Sequence, residues 1–174
     1  NLHEAGVLRT TTVPSKVAKS VQIDSVIMAG QIVNALDYVG VMGVEFFVAS
    51  GGGLLVNEIA PRVHNSGHWT QNGCSIDQFE QHIRAIMNLP LGRTENKVAG
   101  VMVNLVGKEG YTGPVHYKNI EHILAIEGVK PHIYGKKETR PFRKMGHITI
   151  INKDLDLARK IAEEVKETIE VISK

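Results

Sequence analysis

The 174-residue sequence lacks several features that would place it in a special class of protein. It contains one cysteine, Cys74, so a disulfide within the chain is excluded and we expect a reducing, cytoplasmic setting. Its apolar runs all fall short of the ~20 residues that span a membrane. The net charge is only +2, too small by itself to indicate a nucleic-acid-binding surface. We therefore expect neither a membrane nor a nucleic-acid partner.

The composition that remains is that of a folded globular protein. Apolar residues make up 43% and charged residues 22%, which excludes global disorder. The charge is uneven, because residues 98–174 carry 13 basic and 10 acidic groups. Five of those cations, with one acid, lie between Lys136 and Lys144. A local cationic cluster of this kind suits a small anionic ligand as well as a polymer.

The apolar pattern predicts an α+β fold in two parts. For the first part we expect a strand at 1–12, a helix at 16–37 with Ser15 as its possible N-cap and an interruption near Gly30, strands at 43–49 and 54–60, a polar loop at 61–74, and a helix that begins at Ser75 or Asp77 and ends near 88. The second part should contain a strand at 99–106, a helix at 117–126, strands at 130–135 and 146–152, and a long helix at 154–172.

The domain prediction follows from these elements. We expect one domain at 1–92, a polar linker at 93–97 and a second domain at 98–174. The chain starts at Asn1 rather than Met, and its first residues already read as the interior of a folded unit. We therefore expect a fragment of a longer protein.

A pair of carboxylates is the first candidate for chemistry. If the hairpin over 43–60 turns symmetrically between Gly51 and Gly52, Glu45 and Glu58 lie directly opposite each other, with Cβ atoms roughly 5 Å apart. Like charges at that distance are destabilising unless a cation lies between them. Mg²⁺ or Mn²⁺ is one explanation, since hard cations bind carboxylate oxygens and substrate phosphates. The alternative is two glutamates on the solvent-facing side of the hairpin, and a bulge would break the pairing.

The loop that follows Glu58 is rich in polar side chains and is a candidate substrate lining. If the strand continued, Arg62 would face the same side as Glu58 and could hold a carboxylate or phosphoryl group through two hydrogen bonds. His64 and His68 have the spacing of a zinc pair on a helix, but Pro61 and the loop glycines argue against a helix here. The alternative is a loop whose polar side chains satisfy its own turns.

The basic stretch is the third candidate. Its cations flank a proline and precede a glycine, which suits a phosphate site on a rigid turn. The alternative is a solvated hairpin tip. The cations are Lys136, Lys137, Arg140, Arg143 and Lys144.

These three features occur together in one family. The run NEIAPRVHNSGHWTQNGCSIDQFEQHIRAIMNLPLG at 57–92 closely resembles the N5-carboxyaminoimidazole ribonucleotide synthetases of purine biosynthesis. The segments HEAGVLRTT, YVGVMGVEFF, VMVNLVG and YGKKETRPFRKMGHI resemble the same family, so that the resemblance covers nearly the whole chain. It implies the second half of an ATP-grasp domain, followed by a small C-terminal α/β domain.

The resemblance also implies an activity. Such enzymes use ATP and bicarbonate to carboxylate 5-aminoimidazole ribonucleotide, through carboxyphosphate. By resemblance, Glu45 and Glu58 bind Mg²⁺ or Mn²⁺, Asn57 and Glu58 lie at the nucleotide, and Arg62 and His64 bind bicarbonate or stabilise carboxyphosphate. The residues expected to hold the ribonucleotide phosphate are Lys137, Arg140, Arg143 and Lys144. The family is commonly dimeric.

Two departures qualify the resemblance. Many ATP-grasp enzymes have Glu-x-Asn at the second metal position, whereas this sequence has Glu58, Ile59 and Ala60. That sequence is the usual one in the proposed family. The amino-terminal lobe and the first half of the ATP-grasp domain do not match any part of the chain, so we expect the chain alone not to turn over ATP. The alternatives are another ATP-grasp enzyme, such as a formate-dependent transformylase or a biotin carboxylase, and a non-catalytic dimerisation or regulatory module.

Overall fold

The computed structural model describes all residues, 1–174, and divides them into two compact units. The first unit, here called the sheet unit, comprises Asn1–Pro14, Asn72–Cys74 and Asn96–Lys174. The second, here called the hairpin unit, comprises Ser15–Gln71 and Ser75–Glu95. The structure contains both helices and sheets, which confirms the predicted α+β class.

The sheet unit contains two sheets and two helices. The elements are β1 at Leu2–Glu4, β2 at Val7–Val13, β5 at Gly100–Val106, β6 at Gly113–Lys118, α4 at Ile120–Leu124, β7 at Val129–Ile133, β8 at Glu138–Thr139, β9 at Lys144–Ile151, α5 at Leu155–Thr168 and β10 at Glu170–Ser173. The larger sheet is antiparallel and has five strands in the order β1-β2-β5-β9-β7. The second sheet has three strands in the order β10-β6-β8.

One core holds the sheet unit together. Strand β5 is almost continuously apolar because both of its faces are buried. Helix α5 packs against β5 and buries Ala158, Ala162 and Val165, which lie on one helical face. Asp154 caps that helix, because its carboxylate accepts hydrogen bonds from the backbone N–H groups of residues 156 and 157.

The hairpin unit has a different construction. Its elements are α1 at Lys19–Ala35, β3 at Gly43–Val48, β4 at Leu54–Ala60, a 3₁₀ helix at Asn65–Trp69 and α3 at Gln78–Ile86; the short helix α2 at Thr70–Gly73 begins in this unit. Helix α1 buries none of its residues, although its apolar side chains recur at helical spacing. The buried residues of this unit are Ala60, Trp69 and Gln78.

Several predicted boundaries need correction. Helix α1 is continuous through Gly30, and its N-cap is Ala18 rather than Ser15. Tyr117 lies in a strand, and the last predicted helix ends at Thr168. Residues 170–173 instead form β10, which pairs with β6 more than 50 residues earlier in the chain. Helical spacing in the sequence cannot reveal a partner at that distance, so the local pattern was extended too far.

The two compact units are divided along the chain differently from the predicted domains. The chain returns to the sheet unit at Asn96, within the predicted linker at 93–97. Residues 1–14, however, belong to the sheet unit, because β2 pairs with β5 from Thr10 to Val13. The sheet unit is therefore assembled from both ends of the sequence. None of the helices combines the length and apolar character that a membrane span requires.

Candidate functional site

The hairpin β3–β4 places the two predicted carboxylates opposite each other. In the antiparallel register, Gly43 pairs with Ala60, Val44 with Ile59, and Glu45 with Glu58. Directly opposed residues project from the same face of an antiparallel pair. The predicted juxtaposition of Glu45 and Glu58 is therefore confirmed.

The route to this register differs from the symmetric turn that was assumed. At the tip, Val48 pairs with Leu54, so the turn is centred on Gly51 rather than between Gly51 and Gly52. The register then shifts by one residue next to Glu45, where Asn57 is the additional residue on β4. This bulge restores the pairing of Glu45 with Glu58, and bulges commonly redirect side chains at functional sites.

Glu45 has a polar environment and little exposure. Its carboxylate lies 3.5 Å from the amide nitrogen of Asn57 and 3.9 Å from Nδ1 of His64. The side chains of Glu45 and His64 are each only 13% exposed, whereas Glu58 is exposed. The hairpin thus offers one sheltered carboxylate and one accessible carboxylate on the same face.

Arg62 occupies a different position from the one assumed. Strand β4 ends at Ala60, so Arg62 does not continue the strand on the face of Glu58. Its guanidinium donates a hydrogen bond to the backbone oxygen of Val63 at 3.0 Å, and the residue is exposed. Arg62 therefore lies in the segment that follows the carboxylate strand. The hydrogen bond to Val63 uses one of the five N–H donors of its guanidinium.

His64 begins a helical segment where a loop was predicted. It is the N-cap of the 3₁₀ helix, and its Nδ1 lies 2.8 Å from the Ser66 hydroxyl. A Cβ atom on Gly43 would lie 2.7 Å from Cβ of His64, so a glycine there lets the imidazole approach the hairpin. The argument against a helix was wrong, because residues 65–73 are helical despite Gly67 and Gly73.

Gln78 is a residue of this region that sequence reasoning missed. It lies at the start of α3, is buried, and its side-chain amide contacts both the backbone N–H and the backbone oxygen of His64 at 2.9 Å. Of the two predicted caps of α3, Ser75 and Asp77, the structure uses Asp77, whose carboxylate accepts hydrogen bonds from the N–H groups of residues 79 and 80. The sequence offers no local signal for a contact across 14 residues.

The basic stretch lies in the sheet unit, around β8. Lys137 and Arg140 are exposed, whereas Arg143 and Lys144 are half-buried. The guanidinium of Arg143 donates to the backbone oxygen of Glu138 at 2.8 Å. Partial burial lowers the pKa of Lys136, and the charges of Arg143 and Arg140 lower it further. The predicted cations are thus close enough to repel one another.

A hydrogen-bonded cluster beside this stretch was also missed. His147 is buried, stacks on His132 with 4.5 Å between ring centres, and lies 2.9 Å from the Tyr134 hydroxyl. His132 in turn contacts the Asn72 side chain at 2.8 Å. Burial lowers the pKa of His132, which favours its neutral form. The two histidines are direct cross-strand partners on β7 and β9.

The donor set of the chain bears on the predicted metal site. Groups of three or more histidine, cysteine, aspartate or glutamate side chains that could hold a metal ion do not occur in the chain. Glu45 and Glu58 nevertheless form an opposed carboxylate pair, and Mg²⁺ is commonly held by one or two carboxylates together with substrate phosphates. The residues fit a cation that a nucleotide helps to bind, and do not fit an all-protein metal cage.

Comparison with known proteins identifies the family. The ATP-grasp domain family matches residues 1–79, and the phosphoribosylaminoimidazole carboxylase C-terminal domain family matches residues 100–161. The N5-carboxyaminoimidazole ribonucleotide synthase of Brucella melitensis is 48% identical over 151 residues, which cover 87% of this chain and 40% of that protein. The chain belongs to the N5-carboxyaminoimidazole ribonucleotide synthase family.

Solved structures of this synthase family agree with the fold. The synthetase of Thermotoga maritima is 49% identical, with a TM-score of 0.92 over 95% of this chain and 46% of that protein. An Aspergillus clavatus synthase, crystallised with ADP and 5-aminoimidazole ribonucleotide, is 31% identical, with a TM-score of 0.87 over 95% of this chain and 44% of that protein. The chain spans about 40% of the length of the curated relatives that it matches.

Proposed function

We propose that this chain carries part of the active site of an ATP-dependent ligase that carboxylates 5-aminoimidazole ribonucleotide with bicarbonate, giving N5-carboxyaminoimidazole ribonucleotide. The observation that carries the proposal is the opposition of Glu45 and Glu58 on the β3–β4 hairpin, followed directly by Arg62 and His64. The family membership supplies the substrate class. The proposal concerns a full-length protein that contains this chain, because the relatives are more than twice as long.

The carboxylate pair accounts for the ATP half of the reaction. Mg²⁺ or Mn²⁺ at Glu45 and Glu58 would supply positive charge to the ATP phosphates as they react. Asn57, the extra residue of the bulge on β4, holds its side-chain amide 3.5 Å from the Glu45 carboxylate. In this proposal Asn57 contacts the nucleotide together with Glu58. A cation held there would also offset the repulsion between the two opposed carboxylates.

Arg62 and His64 account for the bicarbonate half. Bicarbonate is a weak nucleophile, and its oxygen must approach the γ-phosphorus of ATP while negative charge gathers there. The guanidinium of Arg62 can hold the planar anion through paired hydrogen bonds, and His64 can add a further contact from its fixed position at Glu45. Attack by the bicarbonate oxygen breaks the bond between the γ-phosphorus and ADP, so that ADP leaves and carboxyphosphate forms. The exocyclic amine of the ribonucleotide then attacks the carboxyl carbon of carboxyphosphate, phosphate leaves, and the amine nitrogen gives up one proton.

The basic stretch accounts for the ribonucleotide phosphate. Lys137, Arg140, Arg143 and Lys144 would bind that dianion, and Lys136 belongs to the same cluster. The lowered pKa of Lys136 supports this assignment, because burial and the neighbouring guanidinium groups already disfavour its charge. A bound phosphate would offset that repulsion. From the resemblance we also propose a cytoplasmic homodimer.

The test is ADP release by the purified full-length protein, with ATP, bicarbonate and Mg²⁺. We expect release that depends on 5-aminoimidazole ribonucleotide, and we expect the 174-residue chain alone to be inactive. Release that instead requires glycinamide ribonucleotide with formate, or biotin, would keep the ATP-grasp chemistry and discard the substrate. Absence of release with every acceptor would favour a non-catalytic module.

A further inference from the structure

The side chain of Gln78 holds the segment that carries His64. Its Oε1 accepts a hydrogen bond from the backbone N–H of His64, and its Nε2 donates to the backbone oxygen of the same residue, both at 2.9 Å. The second Nε2 proton points to Nδ1 of His68, also at 2.9 Å. One side chain thus contacts both histidines of the HNSGH motif.

The chemistry of these partners defines the orientation of the amide. A backbone N–H can only donate and a backbone carbonyl can only accept, so Oε1 and Nε2 of Gln78 cannot be exchanged. Because Nε2 donates to Nδ1 of His68, the neutral imidazole of His68 carries its proton on Nε2. Gln78 is only 7% exposed, so water is a poor replacement for these partners.

Gly67 makes this close approach possible. A Cβ atom at Gly67 would lie 2.3 Å from Oε1 of Gln78, closer than two such atoms can pack. The Thr70 hydroxyl adds a second tie, since it accepts from the backbone N–H of Gln78 at 3.1 Å and donates to the Gly67 oxygen at 2.6 Å. Gln78, at the start of α3, is therefore hydrogen-bonded to three residues of the 3₁₀ segment and its caps, namely His64, His68 and Thr70.

We propose that Gln78 is a positioning residue, which acts through His64 and His68 to hold the bicarbonate-binding segment against the Glu45 carboxylate. Both backbone polar groups of His64 are held, and its ring then lies between Ser66 and Glu45. A displacement of about 1 Å in such a segment is enough to slow a reaction about a hundredfold. The catalytic part of this inference rests on the function proposed above.

Gln81 provides a matched control on the same helix. Its amide makes the same pair of backbone contacts, accepting from Gly92 N–H and donating to the Gly92 oxygen, both at 3.0 Å. These contacts hold the segment after α3 rather than the histidine motif. Substitutions at Gln78 and Gln81 therefore remove equivalent pairs of backbone hydrogen bonds. The pair at Gln78 holds the segment with the proposed chemistry, and the pair at Gln81 does not.

The first experiment reads the histidine rings directly. Long-range ¹H–¹⁵N spectra of the full-length protein, with labelled histidine and signals assigned by single His→Gln variants, should show His68 protonated on Nε2. Gln78→Leu should shift the ring signals of His64 and His68, whereas Gln81→Leu should leave them in place. Unmoved signals in Gln78→Leu would overturn the proposal whatever the activity of the enzyme.

The second experiment separates kcat from KM. Gln78→Leu should lower kcat about 10- to 100-fold and raise the KM for bicarbonate, with the KM for ATP within about twofold. Gln81→Leu should keep kcat within about twofold. Equal kcat values in the two variants would overturn the positioning role.

Gly67→Ala displaces the amide of Gln78 without removing it. It is the second test variant, to be used if Gln78→Leu does not fold. It should lower kcat in the same direction, and an unchanged kcat would count against the proposal. A parent protein that releases no ADP with the ribonucleotide would overturn the proposed function alone. In that case the ring signals of His64 and His68 would still show whether Gln78 positions these two histidines.

Discussion

The two units of the chain differ in how far they bury their apolar side chains. The sheet unit has a continuous buried core, in which Met145, Ile148 and Ile150 on β9 are fully inaccessible to solvent. The hairpin unit leaves large apolar side chains exposed on α1, on β3–β4 and on α3, and buries three residues. Burial of apolar surface is the main source of stability, so we infer that the sheet unit supplies most of the stability of this chain.

Charges are paired at some places in the chain and opposed at others. In the sheet unit, Glu170 contacts the amines of Lys108 and Lys118, so that opposite charges are paired. In the hairpin unit, Glu45 and Glu58 are opposed like charges on neighbouring strands. A surface arranged for stability pairs its charges, whereas a binding site keeps unfavourable ones that a ligand can neutralise. By this criterion the opposed carboxylates of the hairpin and the clustered cations around Lys136 in the sheet unit are both candidates for ligand binding.

The largest expected effect is on activity, from the carboxylate pair. In the full-length protein, Glu45→Gln or Glu58→Gln should lower ribonucleotide-dependent ADP release about 1,000-fold, because one charged ligand of the cation is lost. The same changes should leave the melting temperature unchanged or slightly higher, since they remove a repulsion. Glu121→Gln, at an exposed carboxylate of the sheet unit, is the control for both measurements. A lowered melting temperature with activity retained would reverse the contrast between the units.

The next effect is on stability, from the core. Ile148→Ala should lower the free energy of unfolding by about 3 kcal/mol, because the substitution opens a cavity between β9 and its neighbours. Ile86→Ala on α3, where the side chain is 54% exposed, should change it by less than about 0.5 kcal/mol. Urea denaturation of the 174-residue chain, followed by circular dichroism, measures both. Equal losses would show that the hairpin unit has a core of its own.

The smallest effect comes from the paired charges of the sheet unit. Hydrogen bonds from Lys108 and Lys118 lower the pKa of Glu170 from 4.5 to about 2. A carboxyl group with a lowered pKa stabilises the fold above its ordinary pKa and loses that effect as the pH falls toward 2. Glu170→Gln should therefore lower the melting temperature by about 2 °C at pH 7, and the difference should disappear between pH 4.5 and 2.

Melting curves of the parent and the Glu170→Gln variant at pH 7, 4 and 2 measure this difference. Lys174→Gln, at the exposed last residue, is the control for loss of a charge. A difference that persisted at pH 2 would mean that Glu170 contributes through packing rather than through its charge.

Much of the candidate site could be predicted because its residues are contiguous. Glu58, Arg62 and His64 fall within seven positions, and local strand pairing was enough to bring Glu45 opposite Glu58. The predicted pair is correct although the predicted turn is not. The turn is displaced by half a residue, which shifts the strand pairing by one residue, and the extra residue Asn57 in the bulge reverses that shift. Turn geometry and bulges depend on backbone conformation, which the alternation of apolar residues does not report.

The sequence by itself determined the α+β class, the opposed carboxylates and the family, and it narrowed the cap of α3 to Ser75 or Asp77, since each depends on residues that are near one another in the chain. Only the tertiary structure decided that β2 joins β5 and that residues 170–173 form a strand against β6. It also decided that Gln78 holds His64. Propensity and periodicity are local properties, whereas these contacts join residues that come together only when the backbone has folded.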